Sequence, residues 1–124
     1  MDLGKKRILL IPLDGGLTDG GGPMEFRVSE GVLDRICTMN VSRVVIIISE
    51  TEQMEYQAKV KAVEFMVFAY CKVAVCSRER GNGLIDEVMA DLPQRLRKRE
   101  LFLSVGEHIE GIDYIGIDDF GDGL

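Results

Sequence analysis

The sequence predicts an α/β fold in which one parallel sheet carries helices on both faces. Short runs rich in Val, Ile and Leu alternate along the chain with segments of helical periodicity. The run 7–13 is continuously apolar, as expected of a strand buried on both faces. A chain of 124 residues, 46% of them apolar, can bury one core without disulfides or metal. We therefore expect a single domain over residues 1–124.

Five strands and three main helices are expected in alternation. The strands are predicted at residues 7–13, 43–49, 72–76, 100–105 and 114–117. Ser29 and Thr51 are favourable N-caps for the first two helices. The third helix is expected to open at Asn82 or Gly83, and Pro93 interrupts or restarts it.

Each helix is predicted to present one apolar face to the sheet. The first face comprises Val32, Leu33, Ile36 and Cys37. The second comprises Met54, Ala58, Ala62, Phe65 and Met66, and the third Leu84, Ile85, Val88, Met89 and Leu92. We expect Met54, Met66 and Met89 to fill gaps in the core.

Charge and cysteine content narrow the function class. A net charge of −6 argues against sequence-independent nucleic-acid binding, and the basic cluster 95–99 is expected to be the solvated end of a helix. Cys37, Cys71 and Cys76 form no C-x-x-C pair. No apolar run approaches the ~20 residues of a membrane span. The expectation is a reduced, cytoplasmic chain without membrane contact.

Polar residues follow several predicted strands at the edge where α/β sheets bind ligands. Asp14 follows strand one within Pro12-Leu13-Asp14-Gly15-Gly16-Leu17, Ser49 ends strand two, and Glu107 follows strand four. The segment 76–80 follows strand three. Carboxylates and hydroxyls at these strand tips are groups that phosphate chemistry uses.

The motif after strand one resembles the signature of the haloacid dehalogenase (HAD) superfamily of phosphotransferases. In that family a buried strand runs into D-x-D-G-T-L, whose first Asp attacks phosphorus and whose second acts as general acid and base. Asp14 and Gly15 match the second Asp and its glycine. Pro12 stands at the position of the nucleophile, and Gly16 replaces the Thr.

The later family motifs have counterparts in the same order. The apolar strand ending in Ser49 resembles the second motif, in which a hydroxyl holds a phosphoryl oxygen. Residues 78–84 resemble the R-K-P-x-x-G form of the histidinol-phosphate, heptose-bisphosphate and polynucleotide 3′-phosphatase branch, with Glu79 at the position of Lys. Residues 102–107 resemble the fourth motif, with Glu107 for Asp.

The resemblance implies a Rossmann-like sheet of order 3-2-1-4-5 without a cap domain, since the connection 15–28 has room only for a flap. It implies phosphate contacts from Ser49, Gly15, Arg78 and Arg80, and a weak Mg²⁺ site at Asp14 and Glu107. Pro12 cannot attack phosphorus, and Glu79 would repel the phosphate. The expected function is a catalytically impaired scaffold that binds a phosphorylated ligand or a protein partner, with Asp14 a vestigial acid/base.

Two alternatives stay open. One is a Mg²⁺-dependent phosphomonoesterase that uses non-standard residues. The other is a receiver-like or nucleotide-binding module with Glu50 at the tip of strand two, although the glycines at 20–22 do not enter a helix. Asp14 is also a residue that forms turns, and Ser49 can equally cap a helix. His108 has no nearby cysteine and is expected on the surface.

Overall fold

A computed structural model describes residues 7–13, 15–18, 27–39, 41–49, 57–68, 71–77, 83–109 and 111–121. The strands are β1 (Arg7–Pro12), β2 (Val41–Ile48), β3 (Lys72–Ser77), β4 (Phe102–Val105) and β5 (Asp113–Ile115). The helices are α1 (Glu30–Thr38), α2 (Gln57–Phe68), α3 (Gly83–Ala90) and α4 (Ile117–Gly121). Short 3₁₀ turns cover Gln94–Leu96 and Arg99–Leu101. Most predicted strand limits are shifted by one or two residues.

The five strands form one parallel sheet in the order β3-β2-β1-β4-β5, which confirms the predicted topology. β1 lies at the centre, and Leu10 is in register with Val45 of β2 and Ser104 of β4. Ile8 to Ile11 are fully buried. This explains the uninterrupted apolar run, because both faces of a central strand are covered.

Helices cover both faces of the sheet, as predicted. On one side, which we call the α1 face, Leu9 and Ile11 share a core with residues of α1, α2 and α4. On the opposite α3 face, Ile8 and Leu10 pack with Leu84 and other residues of α3. Successive strand residues point to opposite faces, so β1 contributes to both cores.

The start of α1 was predicted correctly from its N-cap. The Val32 N–H donates to Ser29 Oγ at 3.4 Å, and Glu30 places a negative charge in the first turn. Val32 and Ile36 are buried and Leu33 is partly buried. Cys37, also assigned to the apolar face, is exposed.

The predicted apolar face of α2 was wrong. Its buried residues are Lys59, Val60, Val63 and Val67. Ala58, Ala62, Phe65 and Met66 are exposed, and Met54 lies outside the described residues. Both sides of this helix are apolar, so periodicity did not identify the inner one. Met66 is therefore not a core residue, whereas Met89 packs partly buried on the α3 face.

The basic cluster 95–99 does not end a helix, contrary to expectation. α3 ends at Ala90, Pro93 precedes the first 3₁₀ turn, and the cluster spans both turns. Arg97 nevertheless donates from Nε to the Leu92 carbonyl at 2.9 Å and from Nη2 to the Ala90 carbonyl at 3.2 Å. One cation thus satisfies the carbonyl groups at the end of α3.

In the described part of the chain, none of the helices has both the length and the apolar character that crossing a bilayer requires.

Candidate functional site

The carboxyl ends of the three central strands lie side by side. Pro12 is in register with Ile47, and the Leu13 N–H donates to the Ile47 carbonyl at 3.0 Å. Ser49 follows the end of β2 one residue later. A Cβ placed on Gly106, just after β4, would lie 3.8 Å from Pro12 Cγ. The ends that carry Pro12, Ser49 and Glu107 are therefore neighbours at one edge, as predicted.

A compact turn follows β1. The Leu17 N–H donates to the Pro12 carbonyl at 3.1 Å, and the Thr18 N–H donates to the Leu13 carbonyl at 2.9 Å. The buried Thr18 hydroxyl donates to the same Leu13 carbonyl at 3.2 Å. Backbone bonds and one buried hydroxyl thus close the turn.

Two glycines make this turn possible for different reasons. Gly15 has a φ of +78°, in the left-handed region that favours glycine, and open space surrounds the position of its missing Cβ. Gly16 lies against β1, and a Cβ there would clash with the Pro12 carbonyl oxygen. Gly16, which aligns with the Thr of the motif that this segment resembles, is therefore required by this turn.

Pro12 is buried at the tip of the central strand. Its ring lies near both glycine turns, since Cβ atoms built on Gly16 and Gly106 would come 3.0 and 3.8 Å from its Cγ. The proline side chain has no ionisable or nucleophilic atom. The position that resembles that of an attacking carboxylate therefore holds a packed hydrocarbon ring.

Glu107 lies on a loop whose backbone is fixed. Gly106 has a φ of +80° and its N–H donates to the Ile115 carbonyl at 2.9 Å. The fully buried Ser104 hydroxyl donates to the Glu107 carbonyl at 2.5 Å. The Glu107 side chain is half-buried. Sequence reasoning missed Ser104, because a serine within an apolar strand gives no signal of which carbonyl its hydroxyl reaches.

A groove of about 610 Å³ lies beside the β1 turn. Gly15, Gly16 and Thr18 form one wall, and Ile117 and Asp118 at the start of α4 contribute another. The remaining lining runs from Arg27 into α1 and comprises Arg27, Val28, Ser29, Gly31 and Val32. Gly15 is the predicted site residue that lines this groove, and Pro12, Ser49 and Glu107 are not among its lining residues.

Backbone contacts hold the Arg27 side of the groove against the turn. The Ser29 N–H donates to the Leu17 carbonyl at 2.8 Å, and Thr18 forms an antiparallel bridge with Val28. Arg27 and Asp118, both exposed, put one basic and one acidic residue in the lining of the groove. Neither was predicted as a site residue, because neither belongs to a motif to which the resemblance gives a ligand-binding role.

Several predicted site residues lie outside the described residues. These are Asp14, Arg78 and Arg80, together with Glu79. Within the described ranges, no group of three His, Cys, Asp or Glu side chains is arranged to hold a metal ion. The proposed Mg²⁺ pair of Asp14 and Glu107 therefore stays a prediction.

Lys59, in the first described turn of α2, was also missed. The residue is fully buried. A buried ammonium group requires polar partners, and nothing in a helical sequence pattern reveals where they are.

His108 follows Glu107 and is exposed, as predicted. Its ring stacks on that of Tyr114 in β5, with centroids 3.7 Å apart and planes inclined by 23°. The pair links the loop after β4 to the edge strand.

Comparison of the chain with protein-family models, curated proteins and solved structures finds no match in any of the three. A functional assignment therefore rests on the motifs and on the geometry of the carboxyl edge.

Proposed function

We propose that the chain is a HAD-like phosphatase scaffold that has lost its nucleophile and binds a phosphorylated ligand at the carboxyl edge without hydrolysing it. The observation that carries the proposal is the buried Pro12 at the tip of the central strand. It stands in a parallel 3-2-1-4-5 sheet, beside the strand ends that carry Ser49 and Glu107.

The loss of hydrolysis follows from the chemistry of proline. In-line attack on phosphorus needs a carboxylate or an activated water at this position, and the Pro12 ring supplies neither. Removing a nucleophile from a hydrolase costs on the order of a millionfold in rate. Glu79 is expected to reduce hydrolysis further, because it is an anion at the position where the HAD motif has a cation.

The proposed binding of a phosphorylated ligand uses two polar side chains, one at the end of β2 and one in the lining of the groove. The Ser49 hydroxyl can donate to a phosphoryl oxygen, and the exposed Arg27 guanidinium can pair with two such oxygens. The Gly15 N–H already donates to the Thr18 carbonyl at 3.0 Å, so Gly15 contributes open space to the groove and not a donor. Asp118 and Glu30 oppose a highly charged anion, which favours a phosphomonoester over a polyphosphate.

The retained acid favours one second candidate, a Mg²⁺-dependent phosphatase with non-standard residues. Glu107 keeps a carboxylate at the tip of β4 on a loop fixed by Ser104. A working metal site would raise thermal stability in millimolar Mg²⁺, because a ligand that binds only the folded chain stabilises it by RT ln(1 + [L]/Kd). For a scaffold without a working metal site, we expect almost no change in melting temperature. A rise of several degrees in melting temperature that is abolished in Glu107→Ala would favour the phosphatase.

Titration with inorganic phosphate, followed through backbone amide NMR shifts, tests the binding. We expect saturable shifts concentrated around residues 15–18, 27–32 and 49. Ser49→Ala and Arg27→Ala should each weaken binding several-fold. Arg95→Ala removes an exposed cation from a distant 3₁₀ turn and serves as the matched control, with unchanged affinity.

Absence of saturable shifts at millimolar phosphate would overturn the binding proposal. Equal weakening by Arg95→Ala would show that general charge attraction, and not this edge, holds the anion. A protein partner that shifts the same amide resonances in the absence of phosphate would identify the scaffold as a protein-binding module.

A further inference from the structure

The groove beside the β1 turn has room for more than a phosphate group. Its volume of about 610 Å³ falls within the ~300–1,000 Å³ range of small-molecule sites. A phosphate group alone fills a small part of such a space. The rest of the groove is available to the organic part of the ligand, and the residues of its lining indicate the chemistry of that part.

Two walls of the groove carry charges of opposite sign. Arg27 belongs to the side that leads into α1, and Asp118 belongs to the first turn of α4. Of the described residues that line the groove, these are the two charged ones. A ligand that satisfies both walls has an anionic group and a cationic group.

The α4 wall is suited to a cation and not to a second anion. Asp118 forms no salt bridge with a lysine or arginine of the described residues. Residues 102–124 contain six acidic residues and no lysine or arginine, whereas the rest of the chain has 15 of each kind. The whole net charge of −6 therefore comes from the segment that includes α4, and its negative potential attracts positive charge.

The uncharged lining favours a short hydrocarbon linker between the two charged groups. Val28, Val32 and Ile117 line the groove, and each packs on the core of the α1 face. The hydroxyl of Thr18 donates to the Leu13 carbonyl, and that of Ser29 accepts from the Val32 N–H. Both hydroxyls in the described lining are thus bonded to the backbone, so apolar contact is the main interaction left for the linker.

We propose that the ligand of this groove is an aminoalkyl phosphate, a phosphomonoester whose short aliphatic chain ends in an ammonium group; this rests on the proposed function, which places a phosphate at this edge. The Arg27 guanidinium pairs with phosphoryl oxygens, and the Asp118 carboxylate accepts hydrogen bonds from the ammonium group. The ammonium group also offsets the repulsion between Asp118 and the phosphate.

Titration of the full chain with 2-aminoethyl phosphate and with ethyl phosphate, followed by amide NMR, tests the assignment. The two esters are similar in size and differ in the ammonium group. At pH 8 both phosphates are dianions, since their second pKa is about 6. We expect 2-aminoethyl phosphate to bind about two- to fivefold more tightly, as for an exposed ion pair. It should also shift the amides of residues 117 and 118 more strongly.

Replacing Asp118 should change the two affinities in opposite directions. Asp118→Asn removes the partner of the ammonium group, so 2-aminoethyl phosphate should bind more weakly. It also removes a like charge from the groove, so ethyl phosphate should bind slightly more tightly. Asp119→Asn removes the same charge from the same turn of α4, at a residue outside the described lining, and should leave the preference unchanged. Far-ultraviolet circular dichroism confirms that each variant is folded.

The failure of this assignment is distinguishable from failure of the proposed function. Saturable binding of inorganic phosphate with equal affinity for the two esters, or a preference that persists in Asp118→Asn, would overturn the assignment and leave the proposed function standing. An equal loss of preference in Asp119→Asn would show that the general charge of α4, and not the groove, selects the ligand, and would also overturn it. A chain that binds neither ester nor inorganic phosphate would overturn both.

Discussion

The two ends of the sheet are built in different ways. At the amino end, side chains tie the strands together. Arg7 Nη2 donates to the Phe102 carbonyl and to Asp113 Oδ2, both at 3.1 Å, and the Ser42 hydroxyl donates to the Arg7 carbonyl at 3.3 Å. At the carboxyl end, the turns after β1 and β4 are closed locally by backbone hydrogen bonds, by glycines and by the buried hydroxyls of Thr18 and Ser104.

This difference means that the side chains that join the strands are not the residues of the candidate site. Replacing a side chain at the amino end removes bonds between strands, whereas the tip of β1 needs only a residue that packs between two glycine turns. Pro12 meets that need without a polar group. The proposed loss of a nucleophile at this position is therefore compatible with an intact fold.

The largest effect on the free energy of unfolding is expected for a substitution at Gly16. Gly16→Ala should destabilise the fold by about 3 kcal/mol or more, because the new Cβ collides with the Pro12 carbonyl oxygen and the turn must open. Urea unfolding measures the change.

Two matched glycine variants sharpen this prediction. Gly15→Ala should cost about 1 kcal/mol, for its left-handed backbone alone. Gly83→Ala, in open space at the start of α3, should be neutral or slightly stabilising. Equal effects at Gly15 and Gly16 would show that the close approach to β1 is not what restricts Gly16.

Replacing Arg7 tests the side-chain hydrogen bonds that join the strands at the amino end of the sheet. Arg7→Met keeps much of the apolar stem and removes the bonds to Phe102 and Asp113, so we expect a loss of about 1–2 kcal/mol in urea unfolding. Asp113→Asn should cost less, since this carboxylate is 69% exposed. Phosphate affinity should not change in either variant. A loss of phosphate binding on Arg7→Met would break the separation between the two ends.

Ser104 tests the carboxyl end with a smaller effect. Ser104→Ala removes the buried bond to the Glu107 carbonyl and should cost about 1 kcal/mol. It should also broaden the amide resonances of Gly106 and Glu107, because their loop loses its anchor. Unchanged NMR spectra together with unchanged stability would contradict the described geometry of this loop.

The smallest expected effect is a difference in alkylation rate between Cys71 and Cys37. Burial, and then the neighbouring Cys37, raises the pKa of the Cys71 thiol, and a hydrogen bond with the Val44 backbone partly offsets this. Less thiolate forms at a given pH, so Cys71 should react with iodoacetamide more slowly than the exposed Cys37 at pH 8. Mass spectrometry of peptides follows both sites. Faster labelling of Cys71 would contradict its placement.

The raised pKa also has a consequence for stability. A thiol whose pKa is higher in the folded chain contributes stability that is present below its usual pKa of 9.0 and is lost as the pH rises through the folded value. Folding should therefore weaken slightly above about pH 9, and Cys71→Ser should reduce this dependence.

The strands were predictable because each is a compact apolar run, and their order because the motifs imply it. The inner face of α2 was not, since a helix with apolar residues on both sides offers no single stripe, and Lys59 lies on the buried one. Pro12, Ser49 and Glu107 were placed at one edge because strand ends meet there. Arg27 and Asp118 reach the groove only through the packing of α1 and α4, which no local pattern encodes.

Phosphomonoester hydrolysis by the wild-type chain and by a restored variant tests the central claim most directly. The wild-type chain should show no turnover above background. Pro12→Asp with Glu79→Lys, and with Glu107→Asp if required, should gain Mg²⁺-dependent hydrolysis that Asp14→Asn removes again, since groups that act together must be restored together. Robust turnover by the unmodified chain, abolished by Asp14→Asn, would contradict the claim that Pro12 has silenced this site.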